Sequence, residues 1–288
     1  MRIGIGLPAA VPGTEATMLG RWASESERLG FQSLGVIDRL VYDNLEPLTA
    51  LAAAAARSER VELLTLVLNV CWRENAVLLA KQMASVDRLS DGRLTAGLGF
   101  GAWLEDYAAS EVSLAGRGAR FDSMLATMRR VWAGEVGGAS GPMPAMPDGR
   151  PSVLVGGLVQ AAFTRAATLG QGWVAPLFGL SALSEGAAAL RGAWATAGRA
   201  GRPRVATGRY FCLGTGADEI SDAYIEHYYG SDWFAAARAD TLTSRERLRE
   251  ELLRLGEAGC SDLVLFPCSG ALEQVGLLAE ALDLPPAR

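Results

Sequence analysis

Histidine is nearly missing: the 288 residues include one, His227. Imidazole-rich zinc or iron centres and the Ser-His-Asp arrangement of many hydrolases both need side chains that this chain hardly has, so those classes are set aside. Cysteine is sparse as well. Cys71, Cys212, Cys260 and Cys268 include no C-x-x-C pair, which points to reduced thiols acting as small buried hydrophobes and to a cytoplasmic home. Positive charge is in deficit, with 27 basic against 32 acidic residues and a net charge of -5. A phosphate backbone would meet no overall positive field, and nucleic acid is not an expected partner. No stretch reaches the ~18 apolar residues of a membrane span, and the apolar run at the N-terminus is shorter than a signal h-region. Neither a membrane nor a targeting segment is expected. What the chain does have is apolar bulk, 50% hydrophobic and only 20% charged residues, the profile of a protein that buries a large core.

Three places share one local pattern, an amphipathic helix closed by a glycine and followed at once by a short apolar strand. They are Leu29-Gly30 into Phe31 to Ile37, Leu169-Gly170 into Trp173 to Ala175, and Ala258-Gly259 into Asp262 to Phe266. Glycine accepts the left-handed conformation that ends a helix, and strands apolar on both faces belong to parallel sheets covered by helices. Extending the pattern predicts strands near 3–7, 32–37, 61–69, 93–99, 152–156, 172–175, 204–213 and 261–266. Helices are predicted near 15–29, 47–58, 75–89, 120–133, 160–169, 182–199, 217–229 with 243–257, and 272–283. Eight strand–helix pairs with no break in composition favour one (β/α)8 TIM barrel over residues 1–288, rather than an open doubly wound sheet. The Gly- and Pro-rich stretch Gly134 to Pro151 reads as a loop inserted between the fourth helix and the fifth strand.

In such a barrel, chemistry belongs to the C-terminal strand ends and the loops after them. After the fifth strand, Gly156-Gly157-Leu158 leads into a helix opening at Gln160, which suits either a phosphate cradle of backbone N–H groups or a simple turn. After the fourth, Gly97-Leu98-Gly99-Phe100-Gly101 fails the G-x-G-x-x-G test, because Ala102 and Leu104 stand where glycine would be needed. Backbone bared at Gly99 and Gly101 suits a flat ring or close packing of strand on helix. Asp38 and Arg39 end the second strand as polar anchors or as a surface ion pair. Asn69 is the single amide closing the apolar third strand. Trp72, Trp103 and Tyr228 offer aromatic walls for a substrate, and Arg39 is placed with them as a substrate contact. His227 reads as structural.

Taken in order, these pieces resemble the luciferase-like flavin-dependent oxidoreductases, the barrel family of bacterial luciferase and its deazaflavin-using relatives. The resemblance is carried by Leu29-Gly30-Phe31-Gln32-Ser33-Leu34 with Asp38-Arg39, by Glu46-Pro47-Leu48-Thr49-Ala50-Leu51-Ala52-Ala53, and by Leu79-Ala80-Lys81 through Asp87-Arg88-Leu89-Ser90-Asp91-Gly92-Arg93-Leu94. It continues through Gly97 to Gly101, Arg120-Phe121-Asp122, and Gly156-Gly157 followed by Gly172-Trp173. It implies a reduced flavin at the barrel mouth, its ring across the second to fourth strands. It also implies a bulged third strand with a cis peptide between Leu66 and Val67 behind that ring. Asp38, Leu66, Val67, Asn69, Gly99, Gly101 and Trp173 are then cofactor-binding residues, with Gly156, Gly157 and Leu158 on the phosphate. Many deazaflavin-dependent relatives carry histidine directly after the strand-two aspartate, where this chain has Arg39.

The reading that follows is a monooxygenase that takes reduced FMN from a separate flavin reductase and oxygenates a small organic substrate. Two alternatives stand beside it: a reductase or dehydrogenase using coenzyme F-420, and a non-catalytic flavin-binding protein. The alanine-rich run Ala50 to Ala56 permits close helix packing, either in a homo-oligomer or inside the monomer.

Overall fold

A computed structural model describes residues 1–285 of the chain; the last three residues of the single domain expected over 1–288 lie outside the described residues. Its strands are β1 (Arg2–Gly6), β2 (Ser33–Val36), β3 (Glu62–Thr65), β4 (Leu68–Asn69), β5 (Leu94–Gly99), the small hairpin β6 (Gly137–Gly138) and β7 (Gly141–Pro142), β8 (Ser152–Gly156), β9 (Gly172–Val174), β10 (Arg204–Phe211) and β11 (Asp262–Pro267). The large sheet runs in the order β3-β2-β1-β11-β10-β9-β8-β5-β4, every pairing in it parallel. A further parallel pairing of Leu63 with Leu94 and Leu64 with Thr95 joins its two ends. The sheet therefore closes on itself, with β3 and β4 as two halves of one barrel strand, and the fold is the expected (β/α)8 barrel.

Ten helices stand among the described residues: α1 (Met18–Arg28), α2 (Pro47–Ala55), α3 (Ala76–Leu89), α4 (Leu104–Ala109), α5 (Arg117–Trp132), α6 (Gln160–Leu169), α7 (Leu180–Thr196), α8 (Ala217–Ala239), α9 (Arg245–Glu257) and α10 (Glu273–Ala281). α1 buries Leu19, Trp22 and Ala23 on one stripe, as its spacing predicts. Ala50, Ala54 and Ala55 of α2 are buried within the monomer, so much of its small-residue face is used internally. None of the described helices is long and apolar enough to cross a membrane.

The third strand is broken between β3 and β4, and the peptide bond between Leu66 and Val67 at the break is cis, as the resemblance implies. Three details differ from the sequence reading. α4 appears where a loop was expected. The helix expected to end at 229 continues to Ala239 through a kink at Gly230, because the run after that glycine contains no further breaker. Gly30 and Gly259 close their helices with positive φ, but Gly170 is extended at φ -125°. Glycine is needed at position 170 for space instead, since a Cβ there would lie 2.9 Å from the Val153 carbonyl oxygen. The Gly134 to Pro151 insertion carries the β6–β7 hairpin and is tied to α5 by the Met146 N–H donating to the Trp132 carbonyl at 2.7 Å.

Two apolar shells hold the barrel. One packs the strands against the helices; the other fills the interior with Leu64, Leu66, Leu154, Val174, Tyr210, Val264 and Phe266. Space for the Phe266 ring comes from Gly6, Gly35 and Gly208, where side chains would collide with it or with Val264. At the N-terminal end, Arg204 pairs with Glu62 at 2.8 Å and with Asp262 at 2.6 Å, and Arg2 reaches Glu62 at 2.8 Å. This network seals the face opposite the strand ends where a site is expected.

Candidate functional site

The cis bond turns the chain so that Leu66 and Val67 serve different layers. Leu66 points into the barrel interior and is 2% exposed; it forms part of the floor. Val67 is half-buried and covers the ends of β5 and β8: a Cβ on Gly99 would strike its Cγ2, and one on Gly156 would lie 3.1 Å from its Cγ1. Gly99 is thus required for strand-to-strand closeness, and the result is a small apolar shelf made of Val67, Gly99 and Gly156. Gly101, at φ +85°, borders the shelf, with the position of a Cβ lying 3.2 Å from Asn69 Cβ and 3.5 Å from Trp72 Cδ1.

Beside the shelf, the Gly156-Gly157-Leu158 turn delivers the chain to α6. Gly157 has φ +127° and a Cβ there would come within 2.9 Å of Ala162 Cβ, so both the backbone conformation and the space require glycine. No side chain caps α6, whose N-cap is Val159. The Ala162 N–H donates to the Val159 carbonyl at 2.8 Å, and the N–H groups ahead of it, with the positive end of the dipole, are left for an anion. Gly157, Leu158 and Val159 are exposed, so the cradle is reachable.

Asp38 leaves the end of β2 and is buried, its side chain 1% exposed. Its carboxylate accepts the Asn69 backbone N–H at 2.7 Å and the Arg73 guanidinium at 2.6 and 3.3 Å. Asn69 returns a hydrogen bond from Nδ2 to the Asp38 carbonyl at 2.9 Å, and Arg73 Nη1 also donates to the Asn69 carbonyl. This closed triad locks the end of β2 to the strand just after the cis bond and so fixes the height of Val67. Burial raises the Asp38 pKa, against the opposing pull of Arg73 and the Asn69 amide. The sequence reading allowed Asp38 and Arg39 to pair with each other; the structure corrects this, because the guanidinium that meets Asp38 belongs to Arg73.

Arg39 turns the other way. It donates to the Glu105 carboxylate at 2.6 Å and to the Tyr228 carbonyl at 2.9 Å, and lies 3.6 Å from the centroid of the Trp103 ring. Its Nε is buried without a partner. Expected as a free polar anchor for substrate, Arg39 is instead spoken for: Glu105, from the first turn of α4, neutralises it and Trp103 covers it. It welds α4 and α8 over the mouth. Trp103 and Tyr228 do meet there, 5.9 Å apart edge to face, among Tyr42, Tyr210, Tyr224 and Tyr229.

Two other expected contacts lie deeper than the reading placed them. Trp173 is 0% exposed, packed between Phe163 and Gly186; its indole N–H donates to the Gly157 carbonyl at 2.7 Å. It positions the cradle from behind and does not line it. Trp72 is 8% exposed, with its face against Arg73 at 3.9 Å, which leaves no open face for a substrate wall. His227 is exposed and packs on Tyr42 at 5.4 Å. The four thiols are buried, and burial pushes Cys71 and Cys212 up to about 11, so no ready thiolate is offered. Among the described residues no group of three His, Cys, Asp or Glu is placed to hold a metal ion.

Sequence reasoning passed over Arg73 and Glu105, although they follow the ends of β4 and β5 by four and six residues, the region already marked for function. It also passed over Phe178 and Trp233, whereas Tyr229 was read with Tyr228 as an aromatic cluster able to line a substrate pocket.

A family model described as luciferase-like monooxygenase matches residues 1–264. The chain belongs to that family. An uncharacterised protein of Mycobacterium tuberculosis (strain ATCC 25618 / H37Rv) is 30% identical to this luciferase-like chain over 173 residues, 56% of this chain and 60% of that protein. The chain thus spans about 60% of the length of the curated relatives it matches first. Among solved structures, the oxygenating constituent of 3,6-diketocamphane monooxygenase from Pseudomonas putida, in complex with FMN, superposes with a TM-score of 0.77 at 17% identity, covering 100% of both chains. A coenzyme F-420-dependent secondary alcohol dehydrogenase also superposes with a TM-score of 0.77, at 15% identity over 98% of each chain. At such identities the likeness is one of fold.

Proposed function

We propose that this luciferase-like chain is the oxygenating component of a two-component monooxygenase, receiving reduced FMN from a separate flavin reductase and oxygenating a small organic substrate. The fit of FMN rests on the chain's own residues. The shelf of Val67, Gly99 and Gly156 suits a flat ring, and the uncapped start of α6 behind Gly157 suits a phosphate. When bound there, reduced FMN would supply the electrons for oxygen activation. The chain's residues hold and shield: the Asp38–Asn69–Arg73 triad fixes the shelf, Trp173 holds the turn, and the rings of Trp103, Tyr228 and Tyr229 keep water from the mouth.

The observation that carries this reading is the state of Arg39. An arginine already paired to Glu105 stands after Asp38, so the mouth has no imidazole there to move a proton to or from a substrate oxygen. Anaerobic titration with reduced FMN and with reduced F-420, followed by oxygen and candidate ketones or aromatics, tests it. Tight binding of FMN with oxygen uptake coupled to product is expected. Product formation without oxygen overturns it.

One feature favours the F-420 reading instead. Glu105 is 44% exposed at its side chain, a carboxylate at the mouth that solvent and substrate can reach. On that reading Glu105→Gln abolishes turnover, whereas the monooxygenase keeps most of its rate.

A further inference from the structure

α8 changes direction at Gly230, where φ is 67° and ψ 179°, a backbone conformation glycine adopts without strain. The bend brings Trp233 against Phe178, ring centroids 6.1 Å apart. Trp233 is 54% exposed, a large aromatic surface left open beside the mouth. Phe178, from the loop after β9, meets Tyr229 edge to face at 5.6 Å, and Tyr229 lies 5.9 Å from Trp103. Phe178, Tyr229 and Trp103 are each half-buried. Four rings therefore form a row along the rim, each with part of its surface open.

Below the row, the hydroxyls of Tyr210 and Tyr229 are 3.0 Å apart. Each phenol has one proton, and the bond between them uses only one of the two. Either hydroxyl can donate, but a spare proton on Tyr210, 1% exposed, would be buried without a partner, so the arrangement with Tyr210 donating leaves the spare proton on the half-buried Tyr229. Burial holds Tyr229 up at about 12, so that proton stays in place through the physiological range. Of the charges near the row, Arg39 is paired to Glu105 and Asp240 accepts the Gly179 N–H at 2.7 Å, while Asp232, beside Trp233, is an exposed carboxylate that disfavours an anionic ligand.

We propose that Trp103, Phe178, Tyr229 and Trp233 form the substrate subsite, and that the substrate is a flat, uncharged aromatic molecule carrying an oxygen acceptor for the Tyr229 hydroxyl. The rings supply offset or edge contacts to a planar skeleton, which a puckered saturated one cannot match. The spare phenolic proton selects among planar molecules for one with a carbonyl or ether oxygen. The subsite rests on the mouth being the reacting face, as the monooxygenase reading has it.

Three probes of one skeleton test this by calorimetry on the full chain: 2-acetylnaphthalene, its ring-saturated counterpart 2-acetyldecalin, and 2-ethylnaphthalene, which lacks the oxygen. The parent should bind 2-acetylnaphthalene about tenfold more tightly than the saturated ketone, and about fivefold more tightly than the ethyl compound. Trp233→Ala should erase the preference for the flat skeleton and Trp233→Phe should keep most of it. Tyr229→Phe should erase the preference for the acetyl group alone. Absence of binding to the parent, equal affinity for all three probes, or variants that leave both preferences intact overturn the subsite. FMN and F-420 binding, followed in the same proteins by visible absorbance, separates the two ideas: lost flavin binding with both preferences intact counts against the flavin reading only.

Discussion

The Gly157→Ala substitution tests the cradle at its narrowest point. Alanine at φ +127° is strained in any surroundings, and its Cβ would press on Ala162 Cβ at 2.9 Å. Strain of this kind costs about 1–3 kcal/mol, so a fall in Tm of roughly 2–10 °C is expected for a chain of this size. Relief comes from rotating the turn, and that rotation moves the N–H groups at the start of α6. Each hydrogen bond from such a donor to a charged oxygen is worth about 1.5–3 kcal/mol, and losing one weakens phosphate binding by roughly ten- to a hundredfold. Riboflavin carries the same ring without the phosphate. The assay is therefore the ratio of riboflavin Kd to FMN Kd, measured for parent and variant. Strain on the protein as a whole affects both ligands; damage to the cradle affects FMN alone. The ratio should fall at least tenfold in Gly157→Ala. A variant with the expected Tm loss and an unchanged ratio would refute the placement of the phosphate, even if overall affinity dropped.

Asp38→Asn keeps an acceptor for the Asn69 N–H but takes the carboxylate from Arg73, which retains the Asn69 carbonyl and lies 3.6 Å from Glu46. Denaturant unfolding should show a loss of about 1–3 kcal/mol, with turnover at saturating cofactor within about threefold of the parent. Normal binding with the chemical step abolished would show that Asp38 transfers a proton. At the opposite end of the barrel, burial works against ionised Glu62, but its hydrogen bonds and charge pairing with Arg204, aided by Thr95 and Arg2, leave its pKa lowered from 4.5. A lowered carboxyl stabilises the fold above its unfolded pKa and loses that contribution as pH falls through the folded value. Glu62→Gln should therefore be less stable than the parent at pH ~6 and lose less stability on acidification below pH ~4.5. Parallel stability curves for the two proteins would remove Glu62 from the acid response.

The barrel was legible because its evidence repeats. Apolar strand runs followed by helical patterns recur eight times, three of them entered through a glycine that closes the helix before, and each pair of strand and helix supports the same reading of the next. The break in the third strand left no trace in composition, since Leu66, Val67 and Leu68 are as apolar as a continuous strand would be; only the family resemblance pointed to it. Gly170 was placed correctly as a boundary but for the wrong reason, because a sequence does not distinguish a glycine needed for its φ from one needed for its missing Cβ. The ion pairs at the mouth were the hardest part. Asp38 and Arg39 are neighbours in sequence and were read as one unit, yet successive residues at a strand end point to opposite sides. Their real partners, Arg73 and Glu105, lie 35 and 66 residues away.

That divergence decides how the mouth works. Had Arg39 paired with Asp38, one guanidinium would have served both the shelf and the rim, and any movement of the rim would have disturbed the shelf. Two arginines separate the tasks. Arg73 is sunk beside Asp38 and ties β2 to the strand carrying Val67, while Arg39 ties β2 to α4 and α8 through Glu105 and Tyr228. The second set holds a guanidinium whose side chain is 7% exposed against a carboxylate that is 44% exposed, and opening it would leave a buried charge without its partner, a costly change. Both sets therefore hold their elements firmly, and because they share no charged group, a change at the rim need not strain the shelf.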